Sequence, residues 1–353
     1  MIKNNLNFFN NIQKKNLDSK SIKKFTKLFP KILSKVFTDI NSSKKTLNTL
    51  NKKFNFNFEF KDLEKFKSFK TIAIIGMGGS ILGSEAVSHF LKEKINKKIY
   101  FFNDLNIKKI QNFKKKKNLN KVLFFVISKS GNTIETLSNF FTLKIIKKNS
   151  KNIIIISEKK NNLLYSLSKK FNLFYIEHKN YIGGRYSVLS EVGVVPAYLM
   201  GININKLRSG SLKSLKKKTQ LFLKDSTIML SSLLSFKKIN NLIFLNYCPE
   251  LEKFLFWCQQ LIAESLGKNG KGFLPTISNA PKDHHSLLQL YLDGPKNKLF
   301  YIFSHEESSK EKINIKEILK EKNFLNNKTL SSIKKAQKNA LIKTLKNKNI
   351  PFR

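Results

Sequence analysis

Apolar residues in this chain gather into short unbroken runs separated by stretches of helical spacing. Thr71–Ile75 (TIAII), Val122–Ile127 (VLFFVI) and Asn152–Ser157 are too short for helices and read as buried strands, as do Lys98–Phe102 and Leu173–Glu177. Between them the periodicity predicts helices over Ile81–Leu91, Ile134 to about Lys148, and Asn161–Lys170. Strands alternating with helices imply right-handed βαβ units and a parallel sheet, with ligands at the carboxyl ends of the strands. Past Gly183-Gly184-Arg185 an apolar helix is expected over Tyr186–Met200, then a Lys-rich helical stretch to about Leu234. A second α/β unit begins at Asn241 with the strand NLIFLNY, followed by a helix over Glu250–Leu266 and an irregular Gly-rich segment. A helix over His284–Leu292, the strand KLFYIFS and a last helix over Leu330–Leu345 complete it. Residues 1–65 read as peripheral helices, with Phe54, Phe56, Phe58 and Phe60 alternating as an extended aromatic face. The expected fold is α/β, with two doubly wound parallel-sheet domains and peripheral helices. Its boundaries are a peripheral segment over 1–65, a first domain over 66–205, a helical connection over 206–235 and a second domain over 236–353.

Two loops leave the strands with groups suited to a ligand. After Ile127 the chain reads Ser128-Lys129-Ser130-Gly131-Asn132-Thr133 and then turns helical. Hydroxyls and backbone N–H groups at the positive end of a helix dipole make an anion site, most often for phosphate. A plain Ser/Thr helix cap fits this stretch equally well when it is taken alone. After Ile75 comes Gly76-Met77-Gly78-Gly79-Ser80. It is a poor dinucleotide fingerprint, because Ile81 stands where the third glycine belongs. Gly78 and Gly79 let the backbone approach a ligand closely, and Ser80 can cap the next helix or bond a ligand hydroxyl. A structural tight turn is an equal reading of this loop.

The chain has 353 residues, is 41% hydrophobic and carries a formal charge of +44. That charge suggests nucleic acid until its make-up is considered. Of 67 basic residues only Arg185, Arg208 and Arg353 are arginines, whereas base readout favours the planar guanidinium fork. The lysines are spread through every segment, and runs such as Lys114–Lys117 read as solvated surface. No specific nucleic-acid partner is expected, although the field helps draw in an anionic substrate. No apolar stretch reaches the length of a membrane span, and the first residues lack a signal peptide's apolar core. Cys248 and Cys258 form no CxxC pair and read as free thiols of a reducing compartment, which points to the cytoplasm.

Three further groups stand out. Glu264 lies in the last turn of its helix, beside the apolar stripe. There the dipole disfavours an anion by about 0.3–1 kcal/mol, and a carboxylate so placed suits a general base. A surface carboxylate paired with Lys268 or Lys271 is the plainer alternative. His284 and His285 point about 100° apart on a helix, and His89, His178 and His305 have no ligand spacing, so no metal is expected. One histidine of the pair, following Asp283, suits proton transfer or substrate orientation. Arg185, behind two glycines in a Lys-using chain, suggests a fixed guanidinium aimed at developing negative charge.

Taken together, GMGGSILGSEA, ISKSGNTIET, GGRYSVLSEVG, AESLGKNGKGFLP and DHHSLLQL, in that order, resemble the bacterial type of the glucose-6-phosphate isomerase (phosphoglucose isomerase) family. The resemblance spans about residues 71–305. It implies two sugar-isomerase (SIS) domains of three-layer α/β/α form and an enzyme interconverting glucose 6-phosphate and fructose 6-phosphate. By the same resemblance Ser128, Lys129, Ser130 and Thr133 hold the sugar phosphate, with Gly79 and Ser80 lining the site. Glu264 is the base that moves a proton between C2 and C1, Arg185 with the Gly184 backbone stabilises the cis-enediol(ate), and His285 assists ring opening. The resemblance further implies a homodimer that supplies His285 from the neighbouring subunit, and no metal or organic cofactor. The alternatives are another sugar-phosphate isomerase of the same fold and a catalytically impaired sugar-phosphate-binding protein. The family pattern continues to a Gln-Pro-Gly-Val-Glu-x-x-Lys-like motif whose lysine helps open the ring. No such motif occurs before Arg353, and Lys335, Lys338 and Lys343 do not match it, so that segment is expected to be missing.

Overall fold

A computed structural model describes residues 7–13, 16–236, 238–307, 310–315 and 324–353. Parts of the segment expected as peripheral over 1–65, and of the stretch before the last helix, lie outside the described residues. The chain forms two compact units. One comprises Phe29–Leu223 and Phe256–Leu261, the other Met1–Leu28, Lys224–Leu255 and Ile262–Arg353.

A long helix, α1 (Ser19–Asn41), precedes five parallel strands. These are β1 (Thr71–Ile75), β2 (Lys98–Phe102), β3 (Val122–Ile127), β4 (Ile153–Ser157) and β5 (Phe174–Glu177), in the order β2-β1-β3-β4-β5. The intervening helices are α2 (Leu82–Phe90), α3 (Ile107–Lys116), α4 (Ile134–Leu143) and α5 (Leu163–Lys170), and α6 (Glu191–Leu199) and α7 (Ile204–Ser209) follow. The unbroken apolar runs have a simple cause: both faces of this sheet are covered. Ile72, Ile74, Leu123, Phe125, Ile127, Ile154 and Ile156 pack with Val192, Val194 and Val195 of α6. Their neighbours Ala73, Ile75, Val122, Phe124, Val126 and Ile155 pack with Phe113, Phe140 and Leu164 of α3, α4 and α5. Because α6 is buried on nearly all sides, it is apolar all round and carries no amphipathic signal. The four alternating phenylalanines do form a contiguous aromatic face. Successive ring centroids from Phe54 to Phe60 lie 5.2 Å apart, and Phe60 meets Tyr198 at 4.8 Å.

The other unit takes α8 (Lys217–Phe236) from Lys224 onward and a three-stranded parallel sheet. Its strands β6 (Asn241–Asn246), β7 (Leu274–Asn279) and β8 (Lys298–Phe303) run in the order β7-β6-β8. With them come α9 (Glu252–Leu266), α10 (His284–Leu292) and α11 (Leu330–Asn347). One face of this sheet packs Ile243, Leu245 and Phe300 against Tyr291, Leu341 and Leu345.

Several elements differ from expectation. The apolar helix expected over Tyr186–Met200 is divided: a 3-10 turn spans Gly184–Leu189, and α6 starts only after Ser190, whose hydroxyl accepts from the Val192 N–H. Helix α4 ends at Leu143 rather than near Lys148, because Lys144 turns left-handed (φ 54°) and closes it. Strand β7 lies in the segment expected to be irregular. Its Pro275 lacks a donor and its sequence LPTISN is half polar, which hides a strand that an edge position tolerates.

Candidate active site

In the strand order β2-β1-β3, the chain leaves β1 toward one edge and β3 toward the other, so the crevice at their carboxyl ends is the switch point where doubly wound sheets bind ligands. Both loops singled out in the sequence emerge there. The register pairs Ile75 with Val126, and a Cβ built on Gly76 would lie 3.0 Å from the Ile127 carbonyl oxygen.

The hydroxyl loop does not use its threonine as a plain helix cap. Thr133 occupies the N-cap position of α4 but makes no side-chain cap. Its Oγ1 instead lies 2.7 Å from Ser128 Oγ and 3.5 Å from Ser130 Oγ, and the two serine oxygens are 3.4 Å apart. Three hydroxyls thus converge beside the first turn of α4, whose leading N–H groups have no acceptor within the helix. Such an arrangement can present donors to an anion, with Glu135 the acidic residue of that first turn. Ser128 is buried and its Oγ accepts from the Gly131 N–H at 3.1 Å, whereas Ser130 is exposed. Gly131 is required by the turn: its φ is +70°, and a Cβ there would overlap Asn162. The N-terminus of α5 braces the loop, with the Leu164 N–H donating to the Gly131 carbonyl and the Leu163 N–H to Asn132 Oδ1. Lys129 is placed differently from its neighbours. Its ammonium donates to the Asn180 carbonyl at 2.8 Å and lies 3.5 Å from Glu158 Oε1, so it anchors the loop to the ends of β4 and β5.

The glycine loop packs on the Gly-Gly-Arg segment. A Cβ at Gly79 would collide with the carbonyl carbon and oxygen of Gly184 and stand 2.5 Å from the Arg185 amide nitrogen. Close approach of two backbones is therefore the reason for a glycine here. Ser187, fully buried, bridges them by donating to the Gly184 carbonyl at 2.7 Å and the Gly79 carbonyl at 3.1 Å. The Arg185 carbonyl accepts from Trp257 Nε1 at 2.9 Å, and the guanidinium stacks 4.6 Å from the Tyr186 ring centre. Ser80 does not cap α2, whose N-cap is Ile81. Sequence reasoning missed Ser187 and Trp257 as supports. Ser187 was hidden by the continuous helix expected there, and only its place in GGRYSVLSEVG marks it.

Gly79, Ser80, Ser128, Lys129, Ser130, Thr133, Gly184 and Arg185 all belong to the unit of the five-stranded sheet, while Glu264 and His285 belong to the other. Glu264 is exposed in the last turn of α9, whose C-cap Gly267 donates to the Ala263 carbonyl. The two histidines diverge as the helix geometry requires. His284 Nε2 lies 2.9 Å from the Tyr247 hydroxyl, with burial pushing its pKa down, and His285 is exposed. The turn that carries them is held by Asn279, whose N–H donates to Asp283 Oδ2 at 2.8 Å and whose amide donates to Glu252 Oε1 at 2.7 Å.

The doubly wound sheet and its switch-point loops place the protein in the sugar-isomerase fold class. A glucose-6-phosphate isomerase structure from Chlamydia trachomatis superposes with a TM-score of 0.65 at 16% identity, covering 95% of this chain and 76% of that one. A hypothetical protein of Thermus thermophilus superposes with a TM-score of 0.75 at 21% identity, covering 98% and 88%. At such identities these likenesses speak for the fold alone. The sequence goes further: the family model described as phosphoglucose isomerase matches residues 32–286, so the chain belongs to the phosphoglucose isomerase family. The glucose-6-phosphate isomerase of Methanocaldococcus jannaschii is 33% identical over 275 residues, 74% of this chain and 67% of that protein. The chain spans about two thirds of the length of the curated relatives it matches.

Proposed function

We propose that this protein is an aldose–ketose isomerase that interconverts glucose 6-phosphate and fructose 6-phosphate, serving glycolysis and gluconeogenesis in the cytoplasm. The observation that supports the reading is the convergence of the Ser128, Ser130 and Thr133 hydroxyls at the start of α4, an arrangement suited to a phosphate dianion. In the reaction His285 assists ring opening. The Glu264 carboxylate then removes the C2 proton of the open aldose. The C2–H electron pair forms the C1–C2 double bond and the C1 carbonyl oxygen takes up the negative charge, giving a cis-enediolate. Arg185 and the backbone at Gly184 stabilise that charge. Transfer of the O2 proton to O1 moves the negative charge to O2, and as the C2 carbonyl forms the C1–C2 electron pair takes the proton back from Glu264 at C1, which yields the ketose. Ser80 and Gly79 line the sugar, and a homodimer supplies His285 from the neighbouring subunit.

Trp257, the chain's one tryptophan, bonds the Arg185 carbonyl and gives the test. Fructose 6-phosphate should change its emission saturably, and fructose should not. Thr133→Val, which removes one hydroxyl, should weaken the phosphorylated ligand about tenfold, the worth of a hydrogen bond to a charged group. Equal affinity for fructose and its phosphate would sink the proposal.

A further inference from the structure

Within the hydroxyl loop, Lys129 sends its side chain away from the cluster its neighbours form. Ser128 and Ser130, on either side of it, meet Thr133 Oγ1 at 2.7 and 3.5 Å. The Lys129 ammonium instead donates to the Asn180 carbonyl at 2.8 Å and lies 3.5 Å from Glu158 Oε1. Both partners are held in place. Glu158, 8% exposed and just past the end of β4, donates its N–H to the Lys129 carbonyl at 3.1 Å, and its own carbonyl accepts from Asn162 Nδ2 at 2.8 Å. Its second carboxylate oxygen pairs with Lys160 at 2.5 Å. Asn162 is buried in turn: its Oδ1 caps α5 by accepting from the Tyr165 N–H, and it packs against Gly131. Asn180 stands three residues before Gly183-Gly184-Arg185, with the fully buried Ile182 between them. The Lys129 side chain therefore spans two loops, the one that carries the hydroxyls and the one that leads to Arg185.

We propose that Lys129 is a positioning residue: held by Glu158 and Asn180, its ammonium locks the hydroxyl loop against the Gly-Gly-Arg segment and makes no contact with the substrate's phosphate. This role rests on the sugar-phosphate reading of the loop, and it departs from the ligand role that the family resemblance implies for this lysine. To reach a phosphate, the ammonium would have to leave a carboxylate that is nearly buried. That is costly, because a buried charge stripped of a partner keeps its desolvation penalty without the compensating attraction. The phosphate has other donors, namely three hydroxyls and the leading N–H groups of α4. The strut also has a use. Binding energy from the unreactive phosphate end helps the reaction only when it holds the reacting end in place. Lys129 is a short link between the loop that takes the phosphate and the segment that carries Arg185.

A double-mutant cycle separates a strut from a phosphate ligand. Binding of inorganic phosphate and of fructose 6-phosphate is measured by calorimetry, and turnover by coupled assay, on the full chain, Lys129→Met, Glu158→Gln and the double variant. Circular dichroism checks that each is folded, and the isosteric Glu158→Gln carries the test should Lys129→Met fail to fold. If Lys129 acts through Glu158, each single substitution weakens both ligands by about tenfold and lowers kcat, and the double variant is no worse than either single. The salt dependence of binding then stays as steep as in the wild type. A lysine that touches the phosphate predicts otherwise: Lys129→Met weakens binding and flattens the salt dependence, while Glu158→Gln frees the ammonium and tightens binding. That second pattern, additive losses in the double variant, or single variants that bind and turn over like the wild type would overturn the assignment. A wild type that binds inorganic phosphate but not fructose 6-phosphate would sink the isomerase reading alone, since the strut is then judged on inorganic phosphate. A wild type that binds neither would overturn both.

Discussion

Replacing Gly79 by alanine sets two known effects against each other, and the structure says which wins. Gly79 does not have a left-handed φ, so alanine suits the backbone and would by itself add about 0.4–1 kcal/mol by restricting the unfolded chain. The added Cβ, however, meets the Gly184 carbonyl group and lies 2.5 Å from the Arg185 nitrogen. These are backbone atoms, pinned by Ser187 and by Trp257, so no rotamer change relieves the overlap. Overpacking of this kind costs about 1–3 kcal/mol, and the net result is destabilisation by about 1–2 kcal/mol. At roughly 2–4 °C per kcal/mol, Tm should fall by several degrees. The two loops must also part, which moves the Arg185 amide and guanidinium, so turnover of the proposed isomerase should fall by tenfold or more. Gly210 is the control: it is exposed, has φ −82°, and a Cβ there meets nothing within 4 Å. Gly210→Ala should therefore leave turnover unchanged and raise Tm slightly. Urea and thermal melts of both variants, with turnover measured alongside, form the assay. A Gly79→Ala protein as stable and active as Gly210→Ala would refute the close-approach argument.

Other expectations follow from the same geometry. Ser187→Ala removes one donor shared by two carbonyls and should cost about 1–2 kcal/mol, seen as a lower Tm and a raised KM; an unchanged melt would show that the bridge is idle. Burial, with Lys129 nearby, pushes His178 down to about 4 from its ordinary 6.5. The unfolded chain takes up that proton first, so stability is complete above pH 6.5 and declines as the pH falls toward 4, by about 3 kcal/mol in all. His178→Gln should flatten this part of the wild-type stability curve, and curves that stay parallel from pH 7 to 4 would contradict the burial argument.

Much of this architecture was legible because its signals are local. The strands β1, β3 and β4 are apolar runs buried on both faces, and the ends of β1 and β3 are marked by a glycine loop and a hydroxyl loop. What stayed hidden depends on contacts distant in sequence. Strand β7 is held by pairing with β6 and not by its own half-polar sequence. The Ser190 break before α6 looks like one more polar residue in an apolar stretch, because α6 is buried on nearly all sides and shows no periodicity. Lys129 sits inside the hydroxyl loop, yet its side chain turns to Glu158 and Asn180, partners that follow other strands. Ser187 gains its meaning only from the two glycine loops it joins. The hydroxyl loop fell between these cases. Its residues were evident, but the absence of a Thr133 cap and the 2.7 Å separation of Ser128 and Thr133 were not.

The central claim, that Glu264 moves a proton between sugar carbons, is met most directly by a coupled assay of fructose 6-phosphate conversion to glucose 6-phosphate, run on the wild-type chain and on Glu264→Gln. The amide keeps the size of the side chain and removes the base. The account predicts turnover by the wild type and a loss of about a thousandfold or more in the variant, with Trp257 fluorescence still reporting fructose 6-phosphate binding in both. Equal turnover by the two proteins, or binding without turnover by either, would contradict it.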